Sequence, residues 1–166
     1  MTTHEISTQI DIDAPAARVW EVLTDFGQTP AWNPSITEIS GVLAQGARLS
    51  IRGAAPGKAP TRFTALVLAT ESNRELRWRR FLILPGLFDR EQYFVLEPLG
   101  KNRTRLVQGE KFSGLLAGLF RGAMNAAEQG ANAMNAALKQ QAEEGRAHVG
   151  IFKRFTDALI ARFKRS

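Results

Sequence analysis

The acid best placed to do chemistry is Glu110. In the stretch 103–113, Leu106, Gln108, Glu110 and Phe112 occupy alternate positions and so share one face of a strand, and the apolar pair in that series turns the face inward. An apolar space disfavours a charged carboxylate unless a cation pairs with it, so such a group can donate a proton, accept one or anchor a polar ligand. The structural reading of the same residue is an ion pair with an arginine such as Arg79 or Arg48, or a place at the solvated edge of the sheet.

Other chemistries find less support. The chain has no cysteine, which removes disulfides, thiolate metal sites and a cysteine nucleophile. Its only imidazoles, His4 and His148, stand near opposite ends of the sequence, so no multi-histidine metal site is expected. No Gly-x-Ser-x-Gly elbow is present and neither histidine belongs to the inward-facing pattern, which argues against hydrolase chemistry. The run from Gly53 to Ala59, with Gly57-Lys58, resembles a phosphate loop only superficially. It is one residue short and lacks the Ser or Thr that would hold magnesium. Asn102-Arg103-Thr104 matches a glycosylation sequon, but no secretion signal accompanies it. The reading calls for no metal and no cofactor.

The 166 residues suit one domain with one core, and 44% hydrophobic with 23% charged residues is ordinary globular composition. The net charge of +6 is uneven: residues 145–166 hold six basic side chains against the single acid Asp157. The rest of the chain carries only +1, so no nucleic-acid-binding body is expected. The first dozen residues show neither a basic n-region nor a hydrophobic h-region, and no apolar run approaches the roughly 20 residues of a membrane span. A cytoplasmic protein is expected.

Positioning Glu110 takes a sheet. Ile6, Thr8, Ile10 and Ile12 alternate with polar residues, which predicts a strand over 4–12. Asp13-Ala14-Pro15 then starts a helix, with the cap near Asp13 or Ala14, Pro15 in the first turn, and Val19, Trp20, Val22, Leu23 and Phe26 on its apolar side. It stops near Gly27. Pro30 and Pro34 bracket Trp32-Asn33 and predict a short helical piece. Six strands follow, over 36–42, 47–53, 61–71, 74–83, 88–97 and 103–113, separated by turn residues. Short turns between consecutive strands predict an antiparallel meander. After Gly114 the period becomes helical through Leu116, Phe120, Ala123, Ala127, Ala131, Met134 and Leu138 to about Glu144. At about 1.5 Å per residue, thirty residues run roughly 45 Å, enough to cross a sheet.

A seven-stranded sheet that buries one face against a single helix has to curl around it. The helix face is built from small residues: Gly122, Ala123, Ala126, Ala127, Gly130 and Ala131. A filled core normally places Leu or Ile there, and each interior glycine costs about 1 kcal/mol relative to alanine. Left-over volume is one explanation. A solid core filled from the sheet by Trp20, Trp32, Phe63, Trp78, Phe94 and Phe112 is the other. If a pocket exists, its candidate lining is Trp20, Trp32, Asn33, Phe63, Trp78, Phe94, Gln108, Glu110, Phe112, Phe120, Ala127 and Met134, the aromatics offering large apolar area. Asn33 either caps a turn or meets a ligand at the mouth. The spacing of Gly114, Gly118 and Gly122 reads as close helix packing rather than dimerisation.

Several motifs, in this order, resemble the SRPBCC superfamily, which includes START-like lipid carriers, pollen-allergen-like proteins and polyketide cyclase/dehydrase-type domains. They are Ile10-Asp11-Ile12-Asp13-Ala14-Pro15, Val19 to Phe26, Trp32-Asn33-Pro34, Glu75-Leu76-Arg77-Trp78, Leu84 to Phe88, and Glu110-Lys111-Phe112-Ser113-Gly114. The resemblance spans residues 4–144. It implies an α+β helix-grip fold: a curved antiparallel seven-stranded sheet around a long C-terminal helix, with two short helices after the first strand. It also implies a ligand space between sheet and helix, with its mouth near the first helices and the loops between strands. Fold does not decide activity, and three functions remain open. One is a carrier or sensor of a small hydrophobic molecule such as a lipid, polyketide or aromatic metabolite. Another is a cyclase or dehydratase using Glu110 for proton transfer, and the third is a protein-partner-binding module.

The domain is expected over 1–145. Beyond it, 146–166 reads as a basic amphipathic helix, with Phe152, Phe155, Leu159, Ile160 and Phe163 on one side and Lys153, Arg154, Asp157, Arg162 and Lys164 on the other. Gly145 and Gly150 would form a hinge. Such a helix folds back on its domain, pairs with a second subunit or a protein partner, or makes peripheral contact with an anionic membrane.

Overall fold

The structure, a computed structural model, describes residues 3–81 and 84–163, with residues 145–163 as backbone alone. Strand β1 (His4–Ile12) leads through Pro15 into α1 (Ala16–Thr24) and then α2 (Thr29–Trp32). The expected cap moves by one or two residues. Pro15 itself is the N-cap residue of α1, and its carbonyl accepts from the N–H groups of Arg18 and Val19. Neither Asp13 nor Ala14 caps the helix, because Pro15 takes the extended conformation that ends the strand rather than the first helical turn. Six strands follow: β2 (Ile36–Ser40), β3 (Arg48–Gly53), β4 (Thr61–Glu71), β5 (Glu75–Phe81), β6 (Asp89–Gly100) and β7 (Arg103–Ser113). A 3₁₀ turn (Ala117–Leu119) precedes α3 (Arg121–Phe163).

All seven strands form one antiparallel sheet in the order β1-β7-β6-β5-β4-β3-β2. Consecutive strands are neighbours except for β1, which lies at the opposite edge from β2. The segment α1–α2 makes that long connection across the end of the sheet. Register shifts interrupt the pairing at Ile36/Glu38, Val67/Ala69 and Pro98/Gly100, and such irregularities bend and twist a sheet locally. The sheet curls into a half-barrel around α3. The β4–β5 turn uses Asn73 at φ +65°, a left-handed conformation that asparagine tolerates better than most residues.

Side-chain parity sorts the two faces. Leu76, Trp78, Phe94, Leu106, Gln108 and Phe112 are buried on the concave side. Arg77, Arg79, Glu75 and Glu91 pair with one another on the convex side. Gly109 is required there: a Cβ would stand 2.2 Å from the Tyr93 ring and 2.7 Å from the Ile6 carbonyl oxygen. Of the glycine series after the sheet, only Gly114 makes a close approach, to Leu87 and Gly86. A Cβ at Gly118 or Gly122 would meet nothing within 4 Å, so the spacing does not mark helix packing.

The apolar interior is divided. The larger cluster gathers Ile12, Val19, Leu23, Leu49, Ile51, Leu76, Phe94, Leu106 and Leu138 with Met134 and Ala142 of α3. A smaller one holds Phe88, Phe112 and Ala117, with Ile6, Phe120, Met124 and Ala127 against it.

A polar clamp fixes α3 on the β1–α1 corner. Glu143 Oε1 accepts from the Asp13 backbone N–H at 2.8 Å and from Lys139 Nζ at 2.7 Å. Lys139 Nζ also donates to the Asp11 carbonyl at 2.8 Å. The helix does not stop near Glu144. It continues through Gly145 and Gly150 to Phe163, and at about 1.5 Å per residue the whole of α3 runs roughly 65 Å. No hinge interrupts the backbone, since two glycines among helix formers cost only about 1 kcal/mol each. Whether its last turns contact the domain, a partner or a membrane lies outside the described side chains. Among the described residues no helix is long and apolar enough to cross a membrane.

The clamp makes an acid-sensitive contribution. Burial raises the pKa of Glu143, but hydrogen bonds from Lys139 and the Asp13 N–H, with the Lys139 charge, bring it below the ordinary 4.5. A carboxylate depressed in the folded state stabilises above its unfolded value, and that stability is lost as pH falls through the folded value. Glu143→Gln should therefore lower stability by about 1–2 kcal/mol at pH 7. The difference from wild type should shrink in urea titrations carried out below pH 4.

Candidate functional site

Between the two apolar clusters lies a cavity of about 330 Å³, at the lower end of the range of small-molecule sites. Its lining draws on both clusters: Ile36, Ile51, Trp78 and Met134 from the larger, Ile6 and Ala127 from the smaller. The reason is local to α3. Ala123, Ala126, Ala127, Gly130 and Ala131 all face the space, and none reaches far enough to fill a concave sheet. Of the small-residue series only Gly122 stands outside it.

The opposite wall is aromatic and polar. Phe63 and Trp78 supply apolar area, and Trp78 packs edge-on to Phe94 with centroids 5.4 Å apart. Trp78 Nε1 donates to Gln92 Oε1 at 3.1 Å, which leaves the Gln92 amide nitrogen available on the cavity side. Gln108 is almost fully buried. Its Nε2 makes only a long contact of 3.5 Å to Met134 Sδ, and its Oε1 has no partner. Behind it Asn135 Nδ2 donates to Thr8 Oγ1, which in turn donates to the Gln108 carbonyl, tying α3 to β1 and β7. The loop after β3, from Ala54 to Ala59, closes one side and is exposed at Pro56 and Lys58.

Four charged side chains line the cavity: Lys58, Arg80, Arg90 and Glu110. Glu110 is taken by Arg90. The guanidinium donates from Nε to Oε1 at 2.5 Å and from Nη2 to Oε2 at 2.9 Å, the bidentate geometry that suits arginine and carboxylate. Arg90 also lies 5.1 Å from the centre of the Phe112 ring. The structural reading of Glu110 is thus met by a different arginine than expected, neither Arg79 nor Arg48. Arg79 faces the convex side and pairs with Glu91. Arg80, next along β5, stacks on Phe63 at 4.4 Å. Burial and the neighbouring Arg90 charge push its pKa down to about 10, with Glu110 opposing.

Six of the sequence candidates line this space: Phe63, Trp78, Gln108, Glu110, Ala127 and Met134. The other six do not. Phe94 is fully buried in the larger cluster behind Trp78, and Trp20 packs at that cluster's margin. Phe112 and Phe120 both stack on Phe88 in the smaller cluster. Trp32 lines a separate cleft of about 110 Å³ with Arg18 and Gln141. Asn33 forms a turn, its Oδ1 accepting from the N–H groups of Ser35 and Ile36 at 2.8 and 2.9 Å. No residue of α1 or α2 lines the cavity, whereas the β3–β4 loop, one of the inter-strand loops expected there, does. The sequence reading did not single out Arg80, Arg90 or Gln92. Parity with Trp78 and Phe94 was the available signal, since Arg80 in β5 and Arg90 and Gln92 in β6 stand at alternate positions from them.

Fold and cavity together define the class: a helix-grip domain whose sheet and long helix enclose a ligand-sized space. The chain belongs to the polyketide cyclase / dehydrase and lipid transport family, whose model matches residues 3–148. Among solved structures it is similar to the Zhui aromatase/cyclase from Streptomyces sp. R1128, with 21% identity, TM-score 0.68, and 86% of this chain and 94% of that one covered. A START superfamily protein from Mycobacterium smegmatis is similar at 22% identity and TM-score 0.69, covering 85% and 98%. Norcoclaurine synthase from Thalictrum flavum, in complex with dopamine and hydroxybenzaldehyde, is similar at 15% identity and TM-score 0.65, covering 86% and 88%. At these identities the likeness is one of fold. No curated protein matches the chain.

The helix wall gives a prediction with a definite sign. A Cβ at Gly130 would meet Pro56 Cδ and Ser35 Oγ at 3.8 Å, ordinary contact distance. Gly130→Ala should therefore stabilise the protein by about 0.5–1 kcal/mol through helix propensity and reduced unfolded-state entropy. Urea denaturation checks this.

Proposed function

We propose that this protein binds a small hydrophobic molecule in the cavity between α3 and the sheet, as a carrier or sensor. The observation that carries the reading is the run of small residues on α3, Ala123 to Ala131, facing Phe63 and Trp78 across unfilled space. The apolar part of the wall, against which no side chain packs, forfeits dispersion contacts that a filled core would make, and an apolar ligand supplies them. Membership of the family and the fold of its structural neighbours support the reading.

The alternative of cyclase- or dehydratase-like turnover needs a proton-transfer group. Glu110 is the only acid lining the cavity among the described residues, and both of its carboxylate oxygens already accept from Arg90. That geometry suits a counter-ion which holds Arg90 in place better than a general acid or base, and it favours binding over catalysis.

Native mass spectrometry of the freshly purified protein, followed by solvent extraction, should find a co-purified apolar molecule. Ala127→Trp, which fills the cavity from α3, should give the bare protein mass while keeping a cooperative thermal transition. Bare mass for both proteins, with no small molecule in the extract, would count against the proposal.

A further inference from the structure

Of the four charged side chains lining the cavity, Arg80 and Lys58 have no ion pair among the described residues, and Arg80 is the one set in the sheet wall, Lys58 being exposed on the β3–β4 loop. Arg80 pairs directly across the sheet with Arg90, so two guanidinium groups face one space. The carboxylate there, Glu110, gives both oxygens to Arg90. Among the described residues Arg80 makes no hydrogen bond and no ion pair; its contact is the face of Phe63. The charged residues of the lining come to three cations and one anion. A guanidinium held at an apolar wall without a hydrogen-bonding partner is costly, and such a cost is commonly kept where a ligand supplies the missing partner.

The neutral groups beside it are donors too. Gln92 has its oxygen engaged by Trp78, which leaves its amide nitrogen for the cavity. Gln108 holds its amide by one weak contact to Met134 while its Oε1 has no partner. Opposite stand only Ala and Gly side chains of α3, with Met134.

We infer that the ligand of this cavity is an amphipathic anion, with an apolar body against the small residues of α3 and a carboxylate or equivalent oxyanion on Arg80. The inference rests on the proposed binding function and names the chemical class of its ligand. Arg80 is the specificity-determining group, and Arg90 with Glu110 is a neutralised pair that keeps a second cation from leaving the wall.

Isothermal titration at pH 7.5 with two matched pairs tests it: octanoate against octanamide, and naphthalene-2-carboxylate against naphthalene-2-carboxamide. Each acid should bind wild type at least tenfold more tightly than its amide. Arg80→Gln should abolish that preference by weakening the acids at least tenfold more than the amides, and Arg80→Lys should keep part of it. Because Arg80→Gln removes an unpartnered charge, its Tm should equal or exceed that of wild type. Equal binding of acid and amide to wild type would overturn the inference while leaving the cavity reading intact. So would a preference that survives in Arg80→Gln, or a lowered Tm with loss of amide binding in that variant. If none of the four probes binds wild type, the cavity reading falls and the inference falls with it.

Discussion

The structure depends on a mismatch of volume between one helix and the sheet that grips it. Met134, Leu138 and Ala142 on the later turns of α3 are buried in a continuous apolar cluster, and each large side chain buried there contributes about 1.5–3 kcal/mol. On the earlier turns the same helix face carries Ala123, Ala126, Ala127, Gly130 and Ala131, which bury little. The sheet does not flatten to compensate: the register shifts at Ile36/Glu38, Val67/Ala69 and Pro98/Gly100 go with a sheet that stays bent. The interior therefore splits into two clusters with a cavity between them. The first turns of α3 border the cavity, and its middle turns carry the apolar packing.

Several polar pairs hold the β1–α1 corner to α3 and β7: Glu143 with Asp13 and Lys139, Asp11 with Arg105, Thr104 with the Ala14 carbonyl. The convex face is likewise paired, through Arg77, Arg79, Glu75 and Glu91. At the cavity Gln108 Oε1 has no partner and, among the described residues, Arg80 has no ion pair; other unpartnered buried atoms, Arg18 Nε, Trp32 Nε1, Asn33 Nδ2 and Asn135 Oδ1, lie outside its lining.

Much of the architecture was legible in the sequence because it is written in period. Alternation gave β1 and β7 at their observed bounds, and the switch to helical spacing after Gly114 located α3. The small residues on that helix pointed to the cavity, since five of the six noted there line it. Aromatic size was a poorer guide. Phe94, Phe112 and Phe120 pack into the clusters that bound the space rather than into the space itself, because a large ring is as useful to a core as to a pocket. Arg80 and Arg90 went unnoticed although their parity with Trp78 and Phe94 places them inward, because the alternation was followed to a charged side chain only at Glu110. Only the pairing of β5 with β6 shows them side by side. The end of the helix escaped the reading as well, since glycines at 145 and 150 resembled a stop that α3 passes through.

The most direct measurement is a crystal structure of the protein under xenon pressure. Xenon occupies apolar cavities that side chains leave unfilled. The account predicts a xenon atom in contact with Ala127, Ala131 and Met134, opposite Phe63 and Trp78. A structure in which those aromatic side chains rotate to meet α3 and no xenon enters would contradict it, because the helix and sheet would then share one filled core.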